Sequence, residues 1–480
     1  MQDAQSELRF AQIEHIAVRG LSFLRRREVA GSKASRASVR FPPHTRPHSE
    51  SLVALITMRL TRIRRQNNGS LDTGPLLPGI RGAQAFRTRK PRSFSIVGLG
   101  TSGLKVDNVT TMQASRSKAL FIVPGRLDRR TGGSIYNLHL ARHLEQHEFQ
   151  VEVLSVPDLP YVLGLAIGIL LSPWFLLKTF LLKPDVVIED LWAHPALILF
   201  NLLTSKSRLV LIVHTIRSRD AISAKLIASR LEGTALRSAR LIIAVSSFIK
   251  QEIERLNGSG IPIVVARPGS DGAIGDTLGE LSKNGDSSSV GSRTASDAAN
   301  PLRLLFAGSC VRQKGVEDLI EALAMVRDLP LRLDLAGRKD IDTHFNRRLI
   351  RIVDALDLTE RVTFHGLVDS QGLARLYASA DIFVFPSRYE GYGIVVAEAM
   401  RAGLPIIVAN NGPVAEIVAN NENALIVPAQ DSKALAGAIR KLAEDAGMRE
   451  RFGRRSRDLA EHLPSWRYSC DLVWKAIRGL

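Results

Sequence analysis

From residue 118 onward, short apolar runs alternate with longer stretches whose apolar positions recur every three or four residues. The runs predict strands at 118–123, 151–155, 185–189, 208–214, 241–245 and 262–266. Helical periodicity lies between them, as at 134–146 and 221–239. The strands are apolar with little alternation, which predicts a parallel sheet covered by helices on both faces. The rhythm breaks at 271–300, where polar, small and aperiodic residues such as Gly285, Asp286 and Ser287–Ser289 predict a flexible linker. It then resumes, with strands predicted at 302–307, 331–336, 361–364, 381–385, 405–408 and 424–427. Helices are predicted at 315–327, 345–356, 371–379, 394–402 and 432–446. The expected architecture is α/β: two Rossmann-like domains, 112–270 and 301–480, facing each other across a cleft, with the final helix crossing back to the first domain. A ligand belongs in the cleft between the carboxyl ends of the two sheets.

Residues 1–111 lack any sustained period, and disorder is the default expectation for them. No signal peptide is expected in them, and a start at Met112 is an alternative, since 118–123 reads as the first strand of a fresh domain. Of the formal charge of +18, residues 1–111 carry +12, from 19 Lys+Arg and 7 Asp+Glu. Such an arm suits an anionic partner. No zinc-finger spacing or interleaved basic and aromatic motif accompanies it, so nucleic-acid binding is not expected. Two distant cysteines, Cys310 and Cys470, make neither a metal pattern nor a disulfide framework and favour a reducing compartment. The stretch 162–182 is almost wholly apolar and reaches the length that crosses a bilayer. It fits a buried helix, an element dipping into one leaflet, or a span. A span would strand 118–155 on the opposite side from the rest of its own sheet.

Three loops carry candidate chemistry. Gly132 and Gly133 follow the first strand and open a helix, where free amides and the positive dipole end suit a phosphate. Neither a dinucleotide fingerprint nor a Walker lysine is present. Lys314 stands where the first helix after strand 302–307 is expected to begin. A lysine at a helix N-terminus opposes the dipole and is better explained if a phosphate shares the site. After strand 381–385 come Glu390, Gly391, Tyr392 and Gly393, then a helix carrying Glu398 among apolar neighbours. A carboxylate there should be buried and needs a partner, either a ribose diol or a structural ion pair. The amides of 391–393 offer donors to sugar hydroxyls or phosphate.

Glu390 and Glu398, with Pro386 and Ser387 before them and the segment 399–405 (AMRAGLP) after, resemble the retaining glycosyltransferases of family 4. The resemblance runs from about residue 118 to the C-terminus and takes in Gly132, Gly133, His214, Arg267–Gly269, Lys314, Gly315 and Glu416. It implies the GT-B fold and transfer of a hexose from a nucleotide-diphosphate sugar, such as a UDP-sugar or GDP-mannose, with retention. By position, Gly132 and Gly133 would contact donor phosphate or acceptor, and His214 would lie beside the transferred sugar. Lys314 would bind the diphosphate, Glu390 the sugar and Glu398 the ribose hydroxyls. The family has Arg directly after the glycine at 308, where this chain has Ser309; Arg312 is the nearby substitute.

No metal site and no cofactor are expected, since no Asp-x-Asp motif is well placed. The acceptor is expected to be a glycan or a lipid-linked glycan under construction. The chain is expected in the cytoplasm, with peripheral association on the inner face of the membrane. A nucleotide-sugar 2-epimerase of the same fold and a non-catalytic membrane-associated assembly protein are the alternatives.

Overall fold

A computed structural model of the chain describes residues 116–129, 131–159, 161–203, 208–219, 225–257, 260–272, 277 and 300–480. The extension expected at 1–111, the alternative start at Met112 and nearly all of the linker expected at 271–300 lie outside the described residues.

The first sheet contains β1 (Ser117–Pro124), β2 (Phe149–Val156), β3 (Val186–Asp190), β4 (Leu209–Val213), β5 (Leu241–Ala244) and β6 (Ile263–Val265). The second contains β7 (Leu302–Ala307), β8 (Leu331–Ala336), β9 (Val362–Gly366), β10 (Ile382–Phe385), β11 (Ile406–Ala409) and β12 (Ala424–Val427). The strand orders are β2-β1-β3-β4-β5-β6 and β12-β11-β10-β7-β8-β9, with parallel pairing throughout. Strands such as β3, β4 and β5 are buried along their whole length, which requires cover on both faces. Strand order reverses between β1 and β3 and between β7 and β10. Loops leaving the carboxyl ends of those strands diverge there and leave a crevice.

Among the described residues the α-helices are α1 (Gly132–Gln146), α2 (Tyr161–Leu182), α3 (Ile198–Leu203), α4 (Lys225–Ser238), α5 (Ser247–Asn257), α6 (Val316–Met325), α7 (Thr343–Ala355), α8 (Ser370–Ser379), α9 (Ile394–Arg401), α10 (Ser432–Glu444), α11 (Ala446–Glu461) and α12 (Trp466–Arg478). Side-chain oxygens start many of them: Asp342, Asp369, Asp431, Asp445 and Ser465 each accept an amide of the first turn. α12 follows the second sheet in sequence yet packs on the first. Trp466 stacks on His139 of α1 with centroids 4.1 Å apart, and its amide donates to Asp271 Oδ1 at 2.6 Å.

One core position carries a measurable consequence. Glu189, inside β3, is fully buried, and neither carboxylate oxygen has a hydrogen-bond partner. Burial raises its pKa from 4.5 to about 8, against a smaller opposing pull from Asn201. Between those values the folded chain keeps a proton that the unfolded chain has released, so stability falls as pH rises through that window. The loss is about 1.4 kcal/mol per pH unit within it. Glu189→Gln should therefore match the wild type near pH 5 and melt at a clearly higher temperature at pH 9. Parallel melting-temperature profiles for the two proteins would show that Glu189 is not held neutral.

Candidate active site

The cleft residues fall into two clusters, one from each sheet. In the first, Thr131 caps α1: its Oγ1 accepts from the Ser134 amide at 3.2 Å, and Ser134 Oγ accepts from the Thr131 amide at 2.9 Å. Gly132 and Gly133 are thus the first residues of the helix rather than a turn before it, as expected from sequence. Their amides belong to the unpaired first turn. A Cβ at Gly133 would stand 3.1 Å from the His214 ring, so the glycine leaves the room that ring occupies.

His214 follows β4. Its Nε2 is 2.9 Å from Asn137 Oδ1, and Asn137 Nδ2 donates to Asp190 Oδ2 at 2.8 Å. The carboxylate fixes which end of the amide is the donor. Asn137 Oδ1 is then an acceptor, and His214 Nε2 carries the hydrogen. Burial lowers the pKa of His214, opposed by Asp190, so the ring is neutral near pH 7, with Nδ1 as its acceptor. Asn137 and Asp190 escaped the sequence reading. Asn137 lies one helical turn past Gly133, and Asp190 ends a parallel strand at its carboxyl end. Both positions face the crevice and were open to inference.

In the second cluster, Lys314 Nζ is paired with Glu390 Oε1. Ser387 Oγ lies 2.7 Å from the same oxygen. Lys314 closes a 3-10 turn, Arg312–Lys314, and Gly315 follows in the left-handed region at φ 67° before α6 begins. The lysine thus stands at the N-terminus of α6, where the sequence placed it, one residue before the N-cap Gly315. Its charge is answered by Glu390. A Cβ at Gly315 would overlap the Pro386 carbonyl oxygen, so glycine allows the loops after β7 and β10 to touch and brings Lys314 to Glu390. Gln313, whose Nε2 donates to the Tyr389 carbonyl at 3.2 Å, completes this junction without a local sequence signal, whereas Ser387 belongs to the motif that carries the resemblance.

The remaining predicted residues are spread more widely. Ser309 lies in the loop after β7, where its carbonyl accepts from Val311 N at 2.9 Å. Arg312 is exposed, with its guanidinium 5.4 Å from the centre of the Phe345 ring. Glu398, on α9, takes the Tyr377 hydroxyl at 2.9 Å on Oε2. That partner is neither of the two expected, and nothing in the sequence around Tyr377 announced it. Burial raises the pKa of Glu398 to about 7, against the Tyr377 hydrogen bond. Tyr392 is buried beside Arg267 and Glu416 and its hydroxyl has no hydrogen-bond partner; burial pushes its pKa to about 12.

The two clusters meet. Gly391 abuts the carbonyl oxygen of His214, and Gly132 faces Ile394, the first residue of α9. The Ile216 amide donates to the Tyr389 hydroxyl at 3.2 Å. Glu416 accepts the amides of Ser247 and Phe248 at 3.1 and 2.6 Å, capping α5 of the other sheet, and takes Arg267 at 3.0 Å. Among the described residues, one His and Asp group lies within common ligand reach, His143, His147 and Asp471. His143 is ten residues along α1 from Gly133, about 15 Å away, so this group is not part of the cleft.

Two family models match the chain: Glycosyltransferase Family 4 over residues 130–272 and Glycosyl transferases group 1 over residues 293–459. An uncharacterized glycosyltransferase of Methanocaldococcus jannaschii is 34% identical over 148 residues, 31% of this chain and 37% of that protein. The glycogen synthase of Mycobacterium tuberculosis is 29% identical over 315 residues, 62% of this chain and 67% of the synthase. The chain thus spans little more than a third of the first relative's length. Anabaena HepE, solved in complex with UDP-glucose, superimposes with a TM-score of 0.61 at 20% identity, covering 76% of this chain and 100% of that one. One family model covers strands of the first sheet and the other those of the second, and the fold agrees: the chain belongs to the family 4, group 1 glycosyltransferases, built on the GT-B fold.

Proposed function

We propose that the protein moves a hexose from a nucleotide-diphosphate sugar to a glycan or lipid-linked acceptor, with retention and without a metal. The observation that carries this reading is the Lys314–Glu390 pair, set against the neutral His214 across a contact that joins both sheets. The UDP-glucose complex of Anabaena HepE supports a donor of that chemical class. In the free protein each member of the pair neutralises the other. A diphosphate entering between Lys314 and the amides of Gly132 and Gly133 takes over the lysine. Glu390 is then released toward the hydroxyls of the sugar.

In the reaction the bond between the anomeric carbon and the leaving phosphate oxygen breaks. The acceptor oxygen forms its bond on the same face, and its proton passes to a released phosphate oxygen. Lys314 and the helix-terminal amides stabilise the charge that builds on the leaving diphosphate, the kind of term that usually dominates catalysis. His214, held by Asn137 and Asp190, packs beside the sugar with its orientation fixed. Glu398 holds the ribose hydroxyls next to Tyr377. Arg312 leaves its place over Phe345 to supply the second cation that Ser309 does not provide. The reaction takes place in the cytoplasm.

The test is a thermal-shift screen of nucleotide-sugars, followed by turnover of the hits with labelled donor. A saturating donor raises the melting temperature by mass action. We expect one donor class to do so and to yield a glycosylated acceptor of retained configuration. A free 2-epimeric sugar formed without acceptor would overturn transfer in favour of epimerisation. No shift with any nucleotide-sugar would overturn the reading as a whole.

A further inference from the structure

Helix α2 is built inside out. A surface helix of a water-soluble protein buries its bulky apolar side chains and turns polar ones to solvent. In α2 the face against the protein is made by Gly164, Gly168 and Ser172, with Phe175 as the one bulky residue fully buried beside them. A Cβ at Gly168 would stand 2.6 Å from the backbone of Ala196, and one at Gly164 3.3 Å from Pro195 Cβ. Most other bulky residues point away: Leu170, Leu177, Phe180 and Leu181 are each more than half exposed, and Trp174 is 40% exposed. Leu202 and Leu203 of α3, each 60% exposed, extend the same apolar surface. Small residues inward and bulky apolar residues outward is an arrangement suited to an outer medium of hydrocarbon. Mean hydropathy over Leu163–Leu182 reaches 1.9, and only 17% of that window is buried, so α2 is not a core helix.

The fold also rules out a span. α2 joins β2 to β3, and both strands pair with β1 in one sheet. Both ends of the helix are thus tied to one body on one side of any bilayer. Charge identifies what covers the face. Lys183 and Arg208 are exposed beside the ends of these two helices, whereas Lys178 is paired with Glu152 at 2.8 Å. The unpaired charge at the rim of the apolar face is thus basic and complements anionic headgroups above a hydrocarbon layer.

We propose that α2 and α3 lie in the plane of an anionic bilayer, with the outward apolar face immersed in one leaflet and the basic residues at headgroup level. α2 starts just past the carboxyl end of β2, on the cleft side of the sheet. Arg217, three residues beyond His214, donates to the Leu159 carbonyl at 2.6 Å and ties the start of α2 to the cleft rim. Docking therefore sets the mouth of the cleft at the membrane surface, where a lipid-linked acceptor presents its glycan. That consequence rests on the proposed acceptor, whereas the docking itself does not.

The experiment floats the full chain, free of detergent, with vesicles of phosphatidylcholine alone or mixed with phosphatidylglycerol. The wild type should float with the mixed vesicles and far less with phosphatidylcholine alone. Brominated acyl chains should quench its tryptophan fluorescence, and Trp174→Phe should remove most of that quenching. Combined Leu170→Gln, Phe180→Gln and Leu181→Gln substitutions should weaken binding roughly tenfold or more, with donor-induced thermal shift intact as proof of folding. Three outcomes overturn the proposal: wild type that stays unbound with both vesicles, a triple variant that floats like wild type, or a wild-type dimer that the triple variant dissolves with no vesicle binding in either. Vesicle binding without any donor shift would leave the docking standing and count only against the glycosyl-transfer reading.

Discussion

Lys314→Ala is expected to lower sugar transfer by roughly 10²–10³-fold, the usual cost of removing one preorganised charge-stabilising group. The lysine side chain is 22% exposed, whereas Glu390, at 11%, is buried. Loss of the lysine leaves the Glu390 carboxylate with Ser387 Oγ still beside it at 2.7 Å. The expected stability cost is about 3 kcal/mol, held there by the remaining Ser387 hydrogen bond, and the variant should still fold. Three measurements separate the roles: melting temperature, donor affinity and turnover at saturating donor. If Lys314 stabilises the leaving diphosphate, turnover falls far more than the melting temperature explains. Lys314→Arg should recover part of it, since the charge returns in a different shape. Turnover that tracks only the loss of folded protein, with donor affinity intact, would reduce Lys314 to a structural partner of Glu390.

Gly391→Ala is expected to cost roughly 10²-fold in turnover, the scale of misplacing reacting groups by about 1 Å. The added methyl would overlap the carbonyl oxygen of His214. Gly391 is not among the positive-φ glycines, so its backbone accepts alanine, and the collision with the opposite sheet is the whole difficulty. The loop carrying Glu390 must then withdraw from the strand end carrying His214. The strain should be shared between the two sheets and cost about 1–3 kcal/mol. The discriminating result is a large fall in transfer with a small change in melting temperature. An unchanged transfer rate would mean that Glu390 and His214 do not act at one substrate.

Both predictions rest on contacts that are only partly legible in the linear chain. Glu390, Glu398 and Lys314 are recognisable because each follows a strand, and a parallel α/β sheet delivers the residues after its strands to one edge; His214 is recognisable only through the family resemblance. Lys314 shows the limit of that reasoning. It was expected where α6 begins, but it belongs to a separate 3-10 turn that Gly315, in the left-handed region, ends before the helix starts. Whether one residue falls inside or outside a helix depends on a single backbone angle that composition does not reveal. Glu398 shows another limit. Its burial was inferable from its apolar neighbours, but its partner Tyr377 comes from α8, and no local pattern pairs them.

The chain alone determined the strands and helices, the two α/β units and the loops that carry chemistry. These follow from apolar periodicity and from glycine placement, both local properties of a linear sequence. Only the tertiary structure decided which loops meet: Gly391 against His214, and Glu416 capping α5. It also decided the outward face of α2. An apolar stretch of that length is equally suited to a core, a leaflet or a span until its close-packing small residues are seen to face the protein. Hydrophobicity is carried by the residues, but the direction in which each points is set by packing between elements far apart in the chain.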